Sequence, residues 1–120
     1  MKTAVITGST SGIGRGIAEA FAKQGYNVVI NGLGDKDEIE TIRSEIENLG
    51  AGEVIFDAAN MLNGDEIAAM VANAEAKFGS VDVVVPNAGI QHVAKIEEFP
   101  IAKWDAIIGI NLTSVFHIIR

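Results

Sequence analysis

The segment Thr7-Gly8-Ser9-Thr10-Ser11-Gly12-Ile13-Gly14 can hold an anion without a charged side chain. It follows the short apolar run Ala4, Val5, Ile6 and opens an amphipathic stretch. Strand, glycine-rich turn and helix, in that order, bring unpaired N–H groups and the positive end of a helix dipole to one point. A pyrophosphate is attracted there, and the glycines let the backbone approach it closely. The bland alternative is a tight strand-to-helix connection with no ligand. The full βαβ pattern behind the turn favours dinucleotide binding. A second pattern is an absence. Tyr26 is the only tyrosine, and position 30 is Ile. Residues for gripping a cofactor are present; those for acid–base chemistry are not.

The elements that must position this turn are legible from hydrophobic period. Ala4–Thr7 reads as a strand buried on both faces. A helix over about Gly12–Gln24 carries the apolar stripe Ile13, Ile17, Ala20 and Phe21, and Gly25 ends it. Asn27–Ile30 is the second strand. A second helix starts near Asp35, a good N-cap with Asp37 and Glu38 in the first turn. Glu53–Phe56, a helix over Gly64–Phe78, and Val81–Val85 continue the alternation. A last helix begins near Ile101 and is still periodic at Arg120. Alternating strands and helices specify an α/β fold, a Rossmann-type doubly wound parallel sheet in the order 3-2-1-4. Residues 1–120 form one domain, with no linker, repeat or low-complexity tract. The uncapped last helix and the apolar edge strand Val81–Val85 predict that the chain continues beyond Arg120.

Composition narrows the partners. Sixteen acids against nine bases give a net charge of −7, which argues against nucleic acid. The absence of cysteine excludes disulfides and thiolate metal sites, and no metal is expected. No signal-peptide pattern and no run of membrane-spanning length is present, so a cytoplasmic protein with no membrane partner is expected.

The spacing Gly8-x-x-x-Gly12-x-Gly14 resembles the T-G-x-x-x-G-x-G of the short-chain dehydrogenases/reductases. Asn87-Ala88-Gly89 stands where that family has N-N-A-G. Asn60-Met61 stands where it has an Asp and an apolar residue, and Asn111 where it has a structural and catalytic Asn. The resemblance covers the whole chain, as the N-terminal half of such an enzyme. It implies a cofactor site of Gly8, Thr10, Ser11, Gly12, Ile13, Gly14, Leu33, Asn60, Met61, Asn87, Ala88, Gly89 and Ile110. It narrows to the branch acting on 3-hydroxybutyrate and acetoacetate, through Asn31–Asp35, Asn87–His92 and Lys103–Ala106. Gln91 then holds the substrate carboxylate; otherwise it is an ordinary loop glutamine. His92 reads as a loop residue.

NAD is expected over NADP. No acid ends the second strand at Asn31-Gly32-Leu33-Gly34, but no base stands ready for a 2′-phosphate either. Ser11 occupies the place where many NADP enzymes of the family carry Arg, and Arg15 reads as a solvated helix residue. Leu33 either packs on the adenine face or is a plain turn residue. Asn60 keeps an oxygen able to accept from the adenine amino group. Asp57 reads as a strand-end surface acid. Pro86 replaces the first Asn of N-N-A-G and removes a backbone donor, which casts doubt on the cofactor floor.

Trp104, Ile107, Ile108, Asn111, Val115 and Ile118 fall on one helical face by 3, 4, 7 spacing. An amide there needs partners, either a water in a proton relay, as the resemblance implies, or backbone groups. The resemblance also implies a Ser and a Tyr-x-x-x-Lys pair that this chain lacks, so the 120 residues are expected to transfer no hydride. An NADP-dependent 3-oxoacyl carrier-protein reductase and a non-catalytic dinucleotide-binding module are the alternatives. The resemblance further implies a tetramer through the helix around Trp104–Arg120.

Overall fold

The computed structural model describes all 120 residues. One sheet holds four parallel strands: β1 (Thr3–Ile6), β2 (Asn27–Asn31), β3 (Val54–Asp57) and β4 (Val83–Val85). Their order is β3-β2-β1-β4, as expected from the sequence. Helices α1 (Gly12–Lys23), α2 (Lys36–Glu47) and α3 (Gly64–Phe78) lie in the connections. Beyond β4 come a 3-10 turn (Ile96–Glu98), α4 (Ile101–Ile108), a π turn (Gly109–Thr113) and α5 (Ser114–Ile119). Ala4 stands beside Val28 on one side and Val83 on the other, and Val29 stands beside Ile55.

Every residue of β1 and β2 is buried, as central strands covered on both faces must be. Alternation sorts their side chains into two cores. Ala4, Ile6, Val28 and Ile30 pack with Ala18 and Ala22 of α1 and Ile46 of α2. Val5 and Val29 pack on the other face with Ile67, Met70 and Ala74 of α3 and Ile118 of α5. The outer edge of β3 is blocked by side chains at Val54. Arg43 Nη1 donates to the Val54 carbonyl and Glu47 Oε2 accepts from the Val54 amide, both at 2.9 Å. Both backbone groups of Val54 are thereby unavailable to a foreign strand. No helix is long and apolar enough to cross a membrane.

Two helical faces differ from expectation. On α1, Ile13 is 79% exposed and Ala20 is exposed, while Gly14, Ala18 and Ala22 are buried. Small residues every fourth position let the helix lie close to the sheet, and Ile17 and Phe21 only flank the core. After Ile101 the expected single helix is interrupted by the π turn. Its wider i→i+5 loop rotates α5 relative to α4. Ser114 and Ile118 turn inward, whereas Trp104 and Asn111 are exposed.

Candidate functional site

The strand order reverses between β1 and β4, and their carboxyl ends form the crevice where open α/β sheets take ligands. Thr7 closes it from below. Its Oγ1 accepts from the Asn87 amide at 3.0 Å and the Ala88 amide at 2.9 Å. Asn87 Nδ2 returns bonds to the carbonyls of Thr7 and Gly8, each at 3.1 Å. Pro86 does not disturb this floor. It is exposed just past the edge strand β4, where no ladder partner is required, and the Thr7 amide donates to the Val85 carbonyl at 3.1 Å.

The glycines of the turn act for different reasons. Gly8 and Gly12 have φ of +60° and +57°, a region that strains residues with a Cβ. Gly14 has ordinary helical backbone, but a Cβ there would run into the Gly8 carbonyl and lie 2.5 Å from Asn87 Nδ2. The mouth of α1 is therefore drawn tight against residues 87 and 88. Its N-cap, Ser11, makes no side-chain capping bond, and no acid stands in its first turn. The amides of Thr10, Ser11, Gly12, Ile13 and Gly14 donate to no protein acceptor. The N-termini of α2 and α3 are capped by side chains. Asp35 accepts from the Glu38 amide, as expected, and Asn63 accepts from the Asp65 and Glu66 amides.

Asn31, at the end of β2, joins the two sides. Its Oδ1 accepts from the Gly8 amide at 3.3 Å, and its Nδ2 donates to the carbonyls of Asp57 and Ala59 at 2.9 and 3.0 Å. Its own backbone pairs with Ser9, through the Ser9 amide and hydroxyl. At the end of β3, Asp57 is half-buried and its carboxylate accepts from the Ala59 amide at 2.9 Å. Asn60 Oδ1 accepts from the Leu62 amide at 2.9 Å, which leaves one lone pair. Met61 is buried in the second core.

These segments enclose a cavity of about 460 Å3, within the range of small-molecule sites. Gly8, Thr10, Ser11, Ile13 and Gly14 line one wall, and Leu33, Asn60 and Met61 one end. Asn87, Ala88, Gly89 and Ile110 line the rest. Gly12 shapes the turn but does not line the cavity. Asn31, Gly32, Ala59 and Ile90 also line it, beyond the residues expected from the motifs. The one sequence signal for them is an amide, Asn31, ending an apolar strand. No lining residue is ionisable. The positive field available to an anion therefore comes from backbone amides and the α1 dipole.

Gln91 and Asn111 do not line the cavity. Asn111 is exposed, not buried, and its amide exchanges two 2.9 Å bonds with the backbone of Ile90. It thereby holds a lining residue in place. Gln91 lies in the exposed segment after β4, beside His92, whose ring stands edge-on to Phe99 at 5.3 Å. Arg15 is not free in solvent. It pairs with Glu45 and Glu19, and those hydrogen bonds raise its pKa further above the usual guanidinium value. Tyr26 precedes β2, at the opposite end of the strand from the cavity, with its ring on Phe21 at 4.9 Å.

Known proteins resemble this chain in sequence and in overall fold. A D-beta-hydroxybutyrate dehydrogenase of Rhizobium meliloti (strain 1021) is 53% identical over 119 residues, which is 99% of this chain and 46% of that protein. A 3-oxoacyl-[acyl-carrier-protein] reductase of Staphylococcus epidermidis is 41% identical over 99% of this chain and 48% of its own length. The chain spans about half the length of the curated relatives it matches. Among solved structures, an alcohol dehydrogenase of Thermococcus sibiricus complexed with 5-hydroxy-NADP superposes with a TM-score of 0.90 at 32% identity, covering 99% of this chain and 50% of that one. A metagenomic short-chain oxidoreductase in complex with NADP gives 0.89 at 32%, covering 99% and 53%. The family model described as short chain dehydrogenase matches residues 2–120, and the chain belongs to that family.

Proposed function

We propose that this chain binds NAD and forms the cofactor-holding half of an oxidoreductase for a small hydroxy or keto acid, 3-hydroxybutyrate or acetoacetate. The observation that carries the reading is the set of unpartnered amides from Thr10 to Gly14 at the mouth of α1. They fit a pyrophosphate, and the cavity beside them fits the rest of a dinucleotide. Leu33, 88% exposed two residues past the end of β2, is the candidate to cover the adenine face. The free lone pair of Asn60 Oδ1 suits the adenine amino group, and Met61 backs it. Asn87, Ala88, Gly89 and Ile110 form the floor. Bound NAD supplies the nicotinamide ring that accepts or returns hydride. Gln91 is assigned to the substrate carboxylate. Asn111 shapes the site through Ile90.

The lining holds no cation for a 2′-phosphate, which supports NAD over NADP. The 53% identity to D-beta-hydroxybutyrate dehydrogenases, against 41% to a 3-oxoacyl carrier-protein reductase, supports the hydroxy acid. Exposed Trp104, Leu112 and Phe116 support self-association through α4 and α5, up to a tetramer.

Calorimetric titration of the chain with NAD and NADP tests the cofactor assignment. Saturable NAD binding, tighter than NADP, is the expected result; no heat with either nucleotide overturns it. The lone tyrosine, placed away from the cavity, favours a second reading of these 120 residues as a binding module. Accordingly, NAD with 3-hydroxybutyrate is expected to give no NADH absorbance. Turnover by this chain would overturn that expectation and show that a Tyr-x-x-x-Lys pair is not required.

A further inference from the structure

Position 32 is where dinucleotide sites of this architecture place the acid that reads the adenosine ribose. It directly follows Asn31, the last residue of β2, and lies twenty residues beyond Gly12. Here the residue is glycine, and the structure shows why. A β-carbon on Gly32 would fall among the side-chain atoms of Thr10, 2.8 Å from Cγ2 and 3.1 Å from Cβ, and would also run into Oγ1. Rotation about the Thr10 Cα–Cβ bond moves Oγ1 and Cγ2 but not Cβ, so a side chain at position 32 requires Thr10 to change rotamer and shift by a few tenths of an ångström. Thr10 and Gly32 both line the cavity, and the Thr10 hydroxyl has no hydrogen-bond partner in the protein. The two side chains flanking Gly32 cannot read the ribose. Asn31 is engaged on both amide atoms, and Leu33 is apolar.

We propose that Thr10 is the residue that selects the cofactor at the ribose 2′ position, filling the space a carboxylate at position 32 would need. This rests on the dinucleotide reading of the cavity. A hydroxyl both donates and accepts, so it satisfies a neutral ribose 2′-OH without the charge repulsion by which an acid rejects a 2′-phosphate. NAD is recognised here by a neutral hydrogen bond. NADP is disfavoured by the lack of a cation, not by an opposing carboxylate.

The test is calorimetric titration of NAD and NADP into the chain and its variants, with thermal melts as a folding control. Thr10→Val keeps the shape and removes the hydroxyl. It is expected to weaken NAD by about three- to tenfold, the worth of one hydrogen bond, and to narrow the preference for NAD over NADP. Thr10→Ser restores NAD binding. Gly32→Asp with Thr10 retained loses NAD affinity, because acid and threonine compete for one volume. Thr10→Gly combined with Gly32→Asp regains NAD and excludes NADP. Unchanged NAD affinity in a folded Thr10→Val variant overturns the assignment, as does a Gly32→Asp variant that binds NAD as well as the starting chain. If the unsubstituted chain binds neither nucleotide, the dinucleotide reading itself falls and takes this inference with it. Should Gly32→Asp fail to fold, the Thr10→Val and Thr10→Ser pair still decides the matter.

Discussion

Asn31 ties the glycine turn to the far wall of the cavity by accepting from the Gly8 amide at 3.3 Å while donating to the carbonyls of Asp57 and Ala59. It is 2% exposed, so these groups have little water to fall back on. Asn31→Leu leaves one amide and two carbonyls without a partner. A loss of about 2–3 kcal/mol in urea unfolding is expected, at the cost usual for orphaned polar groups. Asn31→Asp keeps the acceptor for Gly8 but sets carboxylate oxygen against two carbonyl oxygens. That variant is expected to be least stable near neutral pH and to recover as acid protonates the side chain. Equal stability of either variant and the starting chain would show the bridge to be energetically idle.

Two glycines of the turn make opposite predictions. Gly12 has φ of +57° and open space beside it, so its need is conformational. Gly12→Ala is expected to cost about 1–2 kcal/mol, the penalty of a left-handed backbone for a residue with a Cβ, and Gly12→Asn less. Gly14 has helical backbone but no room, because its Cβ would meet Gly8 and Asn87. Gly14→Ala is expected to cost about 1–3 kcal/mol by overpacking, and Gly14→Asn more. The order of Ala and Asn should therefore reverse between the two sites. Melting curves of the four variants decide it.

Much of the fold is readable in the sequence where one physical rule decides. The bounds of α3, Gly64–Phe78, come from an apolar spacing that also buries Ile67, Met70 and Ala74. The strand order comes from alternation of element types. The rule fails where two effects compete. Hydropathy places Ile13 and Ala20 inward on α1, but close approach to the sheet selects Gly14, Ala18 and Ala22. A 3.6-residue period places Asn111 on the face of Trp104 and Ile118, but the five-residue turn at Gly109–Thr113 shifts the phase. Asn31 escapes a sequence reading because an amide at a strand end looks like the start of a turn. Its partners, at positions 8, 57 and 59, are remote in sequence.

Thr3 begins β1 fully buried, and its Oγ1 has no hydrogen-bond partner. A stranded hydroxyl carries a desolvation cost of about 1–3 kcal/mol. Thr3→Val has nearly the same shape and removes that oxygen. It is expected to raise stability by about 1 kcal/mol, read as a higher urea midpoint with unchanged slope. A lower midpoint would reveal a partner for this hydroxyl in solution.

The backbone amide of the same Thr3 donates to Asp82 Oδ2 at 2.8 Å, while the Asp82 amide donates to the Thr3 carbonyl at 2.9 Å. The Thr3 amide holds the Asp82 carboxyl below its ordinary value of 3.8, helped next by the Ser80 hydroxyl and more weakly by the Lys2 ammonium. A carboxylate depressed on folding is protonated first in the unfolded chain as pH falls. Between the two values the unfolded state binds more protons, so stability rises with pH there. The contribution is fully present above about pH 5 and is lost as pH drops through the depressed native value. Asp82→Asn removes the ionising group but keeps an acceptor for Thr3. Urea midpoints at pH 6 and pH 3 should therefore differ less in Asp82→Asn than in the starting chain. Because the side chain is exposed, the difference should also shrink in high salt. Identical acid dependence in the two proteins would mean that Asp82 has the same proton affinity folded and unfolded.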